Sequence, residues 1–266
     1  MSNSLTEFSK FTRAIVRPPA RNFADGLTTV DLGVPNVDVA LEQHAKYCAA
    51  LAKNGCAIVT LPADERFPDS TFVEDTALII TNRGAMLARP GAESRAGEVD
   101  AIRDAISAWY STPAQIVAPG TLDGGDVCEA HDHVFIGLSH RTNEEGARQL
   151  TAWLPILGIS ASIIDIRDVP GILHLKSGVT AVDGRQLLAI RSLAQHDAFR
   201  GYDVLVVPDG EEYAANCIRV NDVLFVAAGF PQTQQLLRDA GFALEVLDMS
   251  EFERMDGGLS CLSLRG

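Results

Sequence analysis

The chain repeats itself, and that recurrence limits its architecture more than any single motif. A polar turn, a β-rich run, a second turn and another β-rich run recur in PDSTFVEDTALIITNRGAMLARP, TLDGGDVCEAHDHVFIGLS, LHLKSGVTAVDGRQLLAI and NCIRVNDVLFVAAG. DGGLSCLSLR closes the chain as a half unit. Glu74, Gly125 and Lys176 mark one place in successive copies at intervals of 51 residues, and the steps to Cys217 and Ser260 are 41 and 43. About five units therefore fit in 266 residues.

Amphipathic helices, each followed by one strand, fill the intervals. Val37, Leu41, Ala45, Cys48 and Leu51 recur at helical spacing, Asn54-Gly55 supplies a C-terminal stop, and AIVTL follows as a strand. Val99, Ile102, Ile106 and Trp109 precede QIVAP; Ala147, Leu150 and Leu154 precede SIIDI; Leu236, Leu237 and Ala240 precede LEVLDM. The unit reads strand, strand, helix, strand, an α/β class. No Ser/Gly-rich or charge-block linker divides the chain, so the expectation is one domain over 1–266, closed into a ring. A linear stack of repeats has the same pattern. In a ring, the N-terminal turns converge on the axis.

Composition narrows the partners. The formal charge is −13 and 47% of residues are apolar, enough for a buried core and incompatible with disorder over most of the chain. So acidic a surface repels nucleic acid and anionic membrane and favours a small cationic ligand. No apolar run approaches the ~20 residues that span a bilayer, and the N-terminus lacks the apolar region of a signal peptide, so a cytoplasmic location is expected. Five widely spaced cysteines with no CxxC suggest neither a disulfide framework nor structural zinc. A homodimer stays open, because helix faces in such a ring are amphipathic with or without a second copy.

The turns hold the polar residues that solubility does not explain. Asp69, Glu74 and Asp75 lie where the chain enters the apolar run Ala77 to Ile80; Asp69-Ser70 is explicable as turn chemistry, whereas desolvating two adjacent carboxylates is unfavourable without a cation. In TLDGGDV the two glycines permit a sharp turn that aims Asp123 and Asp126 to opposite sides. Asn143 or Thr142 can cap a helix in SHRTNEEGARQL, leaving Arg141 outside it, and Arg95 has the same placement before another helix. Each arginine fits a surface salt bridge or a two-pronged carboxylate clamp. His174 sits between Leu173 and Leu175, where a histidine is either a satisfied core residue or a catalytic one; the other five, His44 among them, occupy polar or helical settings that suggest solvation. Cys261 follows a glycine turn at the same place in its unit as Glu74 and Gly125, which makes it the best nucleophile candidate, ahead of Cys217.

FPDSTFVEDTAL, ARPGAESR, TLDGGDV, SHRTNEEGA, LHLKSG, YAANCIRVN and DGGLSCLSLR, in this order over nearly the whole chain, resemble the bacterial dimethylarginine dimethylaminohydrolases of the guanidine-modifying (pentein) superfamily. The resemblance implies a five-bladed ββαβ propeller. It also implies hydrolysis of N-omega-methylated L-arginines to L-citrulline and a methylamine, through a covalent cysteine thiouronium and with no cofactor or metal. Carried over motif by motif, it implies Cys261 as nucleophile, His174 as general acid and base, and Asp123 as its acidic assistant. Glu74 and Asp75 then hold the guanidinium, Asp69, Arg95 and Arg141 hold the amino-acid end, and Leu27 and Met255 supply lid and rim. Ala96 stands where relatives often have a second arginine. Other guanidine-modifying enzymes, arginine deiminase or amidinotransferase, resemble longer chains with inserted helices. A non-enzymatic five-bladed propeller needs neither the cysteine nor the histidine. Zinc on Cys261 and His174 is expected to be adventitious.

Overall fold

A computed structural model describes residues 10–266. The chain begins with strand β1 (Arg13–Val16), helix α1 (Val37–Lys53) and β2 (Ala57–Thr60). Asn36 caps α1 by accepting the amides of Asp38 and Val39, and Gly55, at φ +96, provides the left-handed turn that ends it. The next unit is β3 (Ala77–Ile80), β4 (Gly84–Leu87), α2 (Val99–Ser107) and β5 (Ala114–Gln115). It is followed by β6 (Val127–Ala130), β7 (His133–Leu138), α3 (Glu144–Trp153) and β8 (Ser160–Asp165). A third unit has β9 (Val179–Ala181), β10 (Gln186–Ala189) and β11 (Asp203–Val206). A fourth has β12 (Ile218–Val220), β13 (Val223–Ala227), α4 (Pro231–Asp239) and β14 (Ala243–Leu247), and the chain finishes with α5 (Ser250–Glu253) and β15 (Leu264–Arg265).

These strands form five separate three-stranded sheets. In each, a hairpin-like antiparallel pair is extended by one parallel strand, as in β3 with β4 (Ala77↔Leu87) and β4 with β5 (Met86↔Ala114). The parallel strand requires a crossover, which an α-helix supplies in four of the five sheets. The half unit at the C-terminus completes the first sheet: β15 pairs antiparallel with β1, so the two ends of the described chain share one blade.

Ring closure is visible in the polar turns. Short 3₁₀ turns at Val73–Thr76, Gly124–Asp126, Leu175–Ser177, Glu212–Ala215 and Ser260–Leu262 each lead into the innermost strand of a blade. Hydrogen bonds link them in a cycle. Gly125 N donates to Asp75, Leu175 N to Asp126, Asn216 Nδ2 to the Lys176 carbonyl and to Ser260 Oγ, and Ser260 Oγ to Glu74. A linear stack leaves its terminal repeats unlinked; here the last turn bonds to the first. The structure is a five-bladed propeller.

Two expectations require correction. The third unit has no α-helix among its described residues: a 3₁₀ turn, Asp197–Phe199, connects β10 to β11, consistent with the absence of a helical stripe in that interval. In α1 the buried stripe is Ala40, Gln43, His44, Tyr47, Ala50 and Leu51, offset from the apolar positions read from the sequence. His44 is therefore buried rather than solvated, and burial lowers its pKa to about 4. No helix among the described residues is long and apolar enough to cross a membrane.

Candidate active site

A pocket opens on one side of the ring of turns, lined by Leu27, Asp69, Asp75, Arg95, Arg141, His174, Met255 and Cys261 together with Phe72, Leu173, Asp256 and Gly257. Eight of the ten residues singled out from the sequence thus lie on one surface although they come from every part of the chain. The other two are displaced for identifiable reasons. Asp123 is fully buried behind His174, and Glu74 faces a different cavity.

Cys261 lies in the 3₁₀ turn before β15 and is 8% exposed. Its Sγ accepts a hydrogen bond from Gly258 N at 3.4 Å and is 3.9 Å from Ser260 Oγ. Burial, followed by the charges of Glu74 and Asp75, pushes the thiol up to about 12. The resting side chain is therefore a neutral thiol at physiological pH.

His174 ends an extended segment, and its Nε2 lies 3.0 Å from Asp123 Oδ2. Asp123 is fixed in turn by Gly91 N on Oδ1, and Thr142 Oγ1 accepts from its own amide. Thr142 thus orients the acid, while Asn143 caps α3. Burial alone would lower the His174 pKa, but Asp75, Asp126 and Asp123 together raise it to about 9. The imidazole packs against Gly125 so closely that a Cβ there would meet its Cγ and Nδ1 at 2.8 Å and Asp75 at 2.9 Å. This is the physical need for a glycine in DGGD.

Arg95 is 5% exposed and embedded in acids: Nη1 meets Asp75 Oδ2 at 2.6 Å, and Nε and Nη2 hold Glu98 in two-pronged fashion at 3.0 and 2.8 Å. Its Nη2 also donates to the Phe72 carbonyl. The expectation of an arginine standing free before a helix is corrected: Arg95 lines the pocket but is already bound. Asp75 is held down to about 2, because His174, Arg95 and the Gly125 amide outweigh the burial that would raise it. Arg141, by contrast, is only half-buried, and its guanidinium has no hydrogen bond or ion pair among the described residues.

At the rim, Leu27 is 43% exposed and its amide donates to both oxygens of Asp69, while Met255 is buried. Thr28 Oγ1 donates to the Arg254 carbonyl and Thr29 N to Asp256 Oδ2, which clasps the segment after Leu27 to the one around Met255. Burial raises the Asp69 pKa against the pull of Arg95, the Leu27 amide and Arg141.

Glu74 turns away. Its Oε1 lies 2.5 Å from Lys176 Nζ and its Oε2 accepts from Ser260 Oγ at 2.7 Å, so it lines an axial cavity between β3, β6, β9, β12 and β15. Adjacent residues therefore face opposite sides of the ring: Glu74 and Asp75, Ser260 and Cys261. Lys176, Ser260, Asn216 and Glu98 complete the site and were missed as participants, while Asp126, singled out beside Asp123, accepts from the Leu175 amide and Ser139 Oγ. The signal for Lys176, Ser260 and Asn216 was position in or beside a repeated turn; Glu98 ends the 3₁₀ segment Glu93–Glu98 before α2, three residues after Arg95. Asp75, Asp123 and His174 offer ligand atoms within 4.8 Å of one another, but each already serves a neighbour, Arg95, Gly91 or Asp123. The cluster fits a charge network better than a metal centre.

No family model matches the chain. The N(G),N(G)-dimethylarginine dimethylaminohydrolase of Pseudomonas aeruginosa is 43% identical over 256 residues, 96% of this chain and 99% of that one. Its Streptomyces coelicolor counterpart is 35% identical over 95% of this chain and 96% of its own. Among solved structures, a cysteine-to-serine mutant of the P. aeruginosa enzyme complexed with citrulline superposes with a TM-score of 0.93 at 42% identity, covering 97% and 100% of the two chains. The N-terminal domain of ArgZ, an arginine dihydrolase from the cyanobacterial ornithine-ammonia cycle, has a TM-score of 0.83 at 17% identity and covers 97% of each chain, a likeness of fold.

Proposed function

The chain belongs to the dimethylarginine dimethylaminohydrolase family, and from that premise and the pocket's geometry we propose that it hydrolyses N-omega-methylated L-arginines to L-citrulline and dimethylamine or methylamine. The observation that carries the assignment is the meeting of Cys261, His174 and Asp75 in one pocket that also contains Arg141, whose guanidinium makes no hydrogen bond or ion pair among the described residues.

A guanidinium is resonance-stabilised and a poor electrophile until carboxylates fix its charge. Asp75, held ionised by Arg95, is placed to do so, and Asp69 and Arg141 are placed for the substrate's ammonium and carboxylate. Glu74 acts from behind, through its charge. The acids that attract the cation also keep Cys261 protonated, so the thiol is quiescent in the empty pocket. Arrival of a guanidinium cancels that negative field and favours the thiolate, whose proton passes to solvent water because His174 is already charged. Thiolate attack on the central carbon gives a tetrahedral adduct. His174, charged below about pH 9, donates the proton with which the amine leaves. The neutral imidazole then deprotonates a water that attacks the S-alkylthiouronium carbon, and the thiolate is expelled as the urea group of citrulline forms. Asp123 keeps the ring oriented and stabilises its charge in both steps. These steps use protein side chains and water, without a cofactor.

The acidic chain and its five free cysteines fit a reducing cytoplasm, and the ring of five blades fits one domain over 1–266. Citrulline formation from arginine, monomethylarginine and asymmetric dimethylarginine in competition tests the reading. Preferential turnover of the methylated substrates is expected; turnover of arginine alone would indicate a deiminase instead.

A further inference from the structure

Asp126 is the acid of the DGGD turn that the chemistry above leaves unused. It is fully buried, and neutral donors meet both of its oxygens: Leu175 N on Oδ1 at 3.0 Å and Ser139 Oγ on Oδ2 at 2.6 Å. Burial raises its pKa to about 6, against the pull of His174, Ser139 and Thr142. The turn itself does not call for so unfavourable a group, since Gly124 and Gly125 provide the bend. The two bonds lead to opposite ends of the substrate pocket. Leu175 follows His174, so Oδ1 fixes the backbone where it leaves the imidazole. Ser139 Oγ, besides donating to Asp126, accepts the amides of Arg141 at 2.9 Å and Thr142 at 3.0 Å. One carboxylate thus holds the backbone beside His174 with one oxygen and, one hydroxyl away, the backbone of Arg141 with the other. Two glycines let these parts close up. A Cβ on Gly137 would meet Leu175 Cβ at 2.9 Å and Asp126 Oδ1 at 3.0 Å, and one on Gly91, whose amide holds Asp123, would overlap the Arg141 carbonyl.

We propose that Asp126 and Ser139 are positioning residues for the reaction, holding Arg141, which takes the substrate's carboxylate, and His174, which moves the protons, in one frame. The roles of Arg141 and His174 are those proposed above, on which this rests. The frame registers the amino-acid end of the substrate against the imidazole, and a displacement on the order of 1 Å at either end is enough to slow the reaction about 10²-fold. Removing the Ser139 hydroxyl leaves Asp126 Oδ2 and the Arg141 and Thr142 amides without their partner, so the turn at 139–142 and the segment ending at His174 both shift. Arg141→Ala cuts only the carboxylate contact, whereas loss of the Ser139 hydroxyl acts on both ends at once.

Ser139→Ala and Ser139→Thr, which keeps the hydroxyl, are compared with wild type by steady-state turnover of asymmetric dimethylarginine and by nitrogen-15 NMR titration of His174 without substrate. Ser139→Ala should lower kcat and raise KM by roughly tenfold each, and Ser139→Thr should restore both. The charges that face the imidazole, Asp75, Asp123 and Asp126, with Arg95 behind Asp75 and with Arg141 and Cys261 in the same pocket, are all present in Ser139→Ala. A titration that falls below the wild-type midpoint of about 9 in Ser139→Ala and returns in Ser139→Thr therefore reports a displaced ring. A lower Tm with wild-type kcat and KM overturns the frame. So does a change in only one of the two, a loss that Ser139→Thr does not repair, or a His174 titration that stays in place. If the serine variants do not fold, Asp126→Asn decides: it keeps an acceptor for the Leu175 amide but loses the one for the Ser139 hydroxyl, and a fall in kcat without a rise in KM overturns the frame. Should wild type turn over no methylated arginine, the proposed function fails, and the NMR titration, which needs no substrate, still decides the frame.

Discussion

His174 Nε2 and Asp123 Oδ2 are 3.0 Å apart, and the other Asp123 oxygen is tied to Gly91 N, so the imidazole is charged and held by an acid that cannot swing away. Amine departure needs the proton on His174. The alkaline limb of kcat/KM should therefore follow this group near pH 9. Asp123→Asn removes one of the charges that raise it and should move the limb to lower pH, with a rate loss on the order of 10²-fold. A limb that stays in place would contradict the pairing.

The same titration has a consequence for stability. The folded pKa lies above the unfolded value of about 6.5. The contribution is thus fully present below that pH and is lost as pH rises through about 9. The fall in Tm between pH 7 and 10 should be steeper for wild type than for Asp123→Asn. Equal slopes would mean that His174 is not charged in the folded protein.

Two arginines that look alike in sequence should behave differently. Arg95 is locked to Asp75 and Glu98, and its removal leaves buried charges unpaired, so Arg95→Ala should lose about 3 kcal/mol or more of stability. Arg141→Ala should keep its Tm and raise KM by tenfold or more, the loss of a charged hydrogen bond to substrate. Denaturation curves and steady-state kinetics on both variants separate the roles.

Gly125→Ala places a methyl 2.8 Å from the His174 ring and 2.9 Å from Asp75. It should destabilise by about 1–3 kcal/mol and depress kcat more than KM, since the displaced groups perform the proton transfers. Wild-type kcat in a folded Gly125→Ala protein would argue against tight packing at this turn.

The repeated units and the converging turns were legible because hydrophobic period and turn chemistry are local. Cys261, His174 and the Asp123 turn stood out for the same reason. Arg95 illustrates what was not: Glu98 is a local partner three residues on, but Asp75 becomes a neighbour only when two turns of the first unit pack together, and sequence distinguishes a buried ion pair from a free clamp poorly. Glu74 and Asp75 are adjacent in the chain, yet a 3₁₀ turn sends them to opposite sides of the ring, one to Lys176 and one to Arg95. His44 looked solvated because α1 buries a face that also includes Gln43 and Tyr47, a mixed stripe that an apolar count misplaces.

Hydrolysis by this route requires Cys261 to become covalently attached to the substrate carbon. Acid quenching of the enzyme during turnover of asymmetric dimethylarginine, followed by peptide mass spectrometry, measures this directly. The prediction is a thiouronium adduct on the peptide bearing Cys261, absent from Cys261→Ser, which should stay folded and form no citrulline. An unmodified Cys261 throughout turnover, or citrulline production by Cys261→Ser at the wild-type rate, would contradict it.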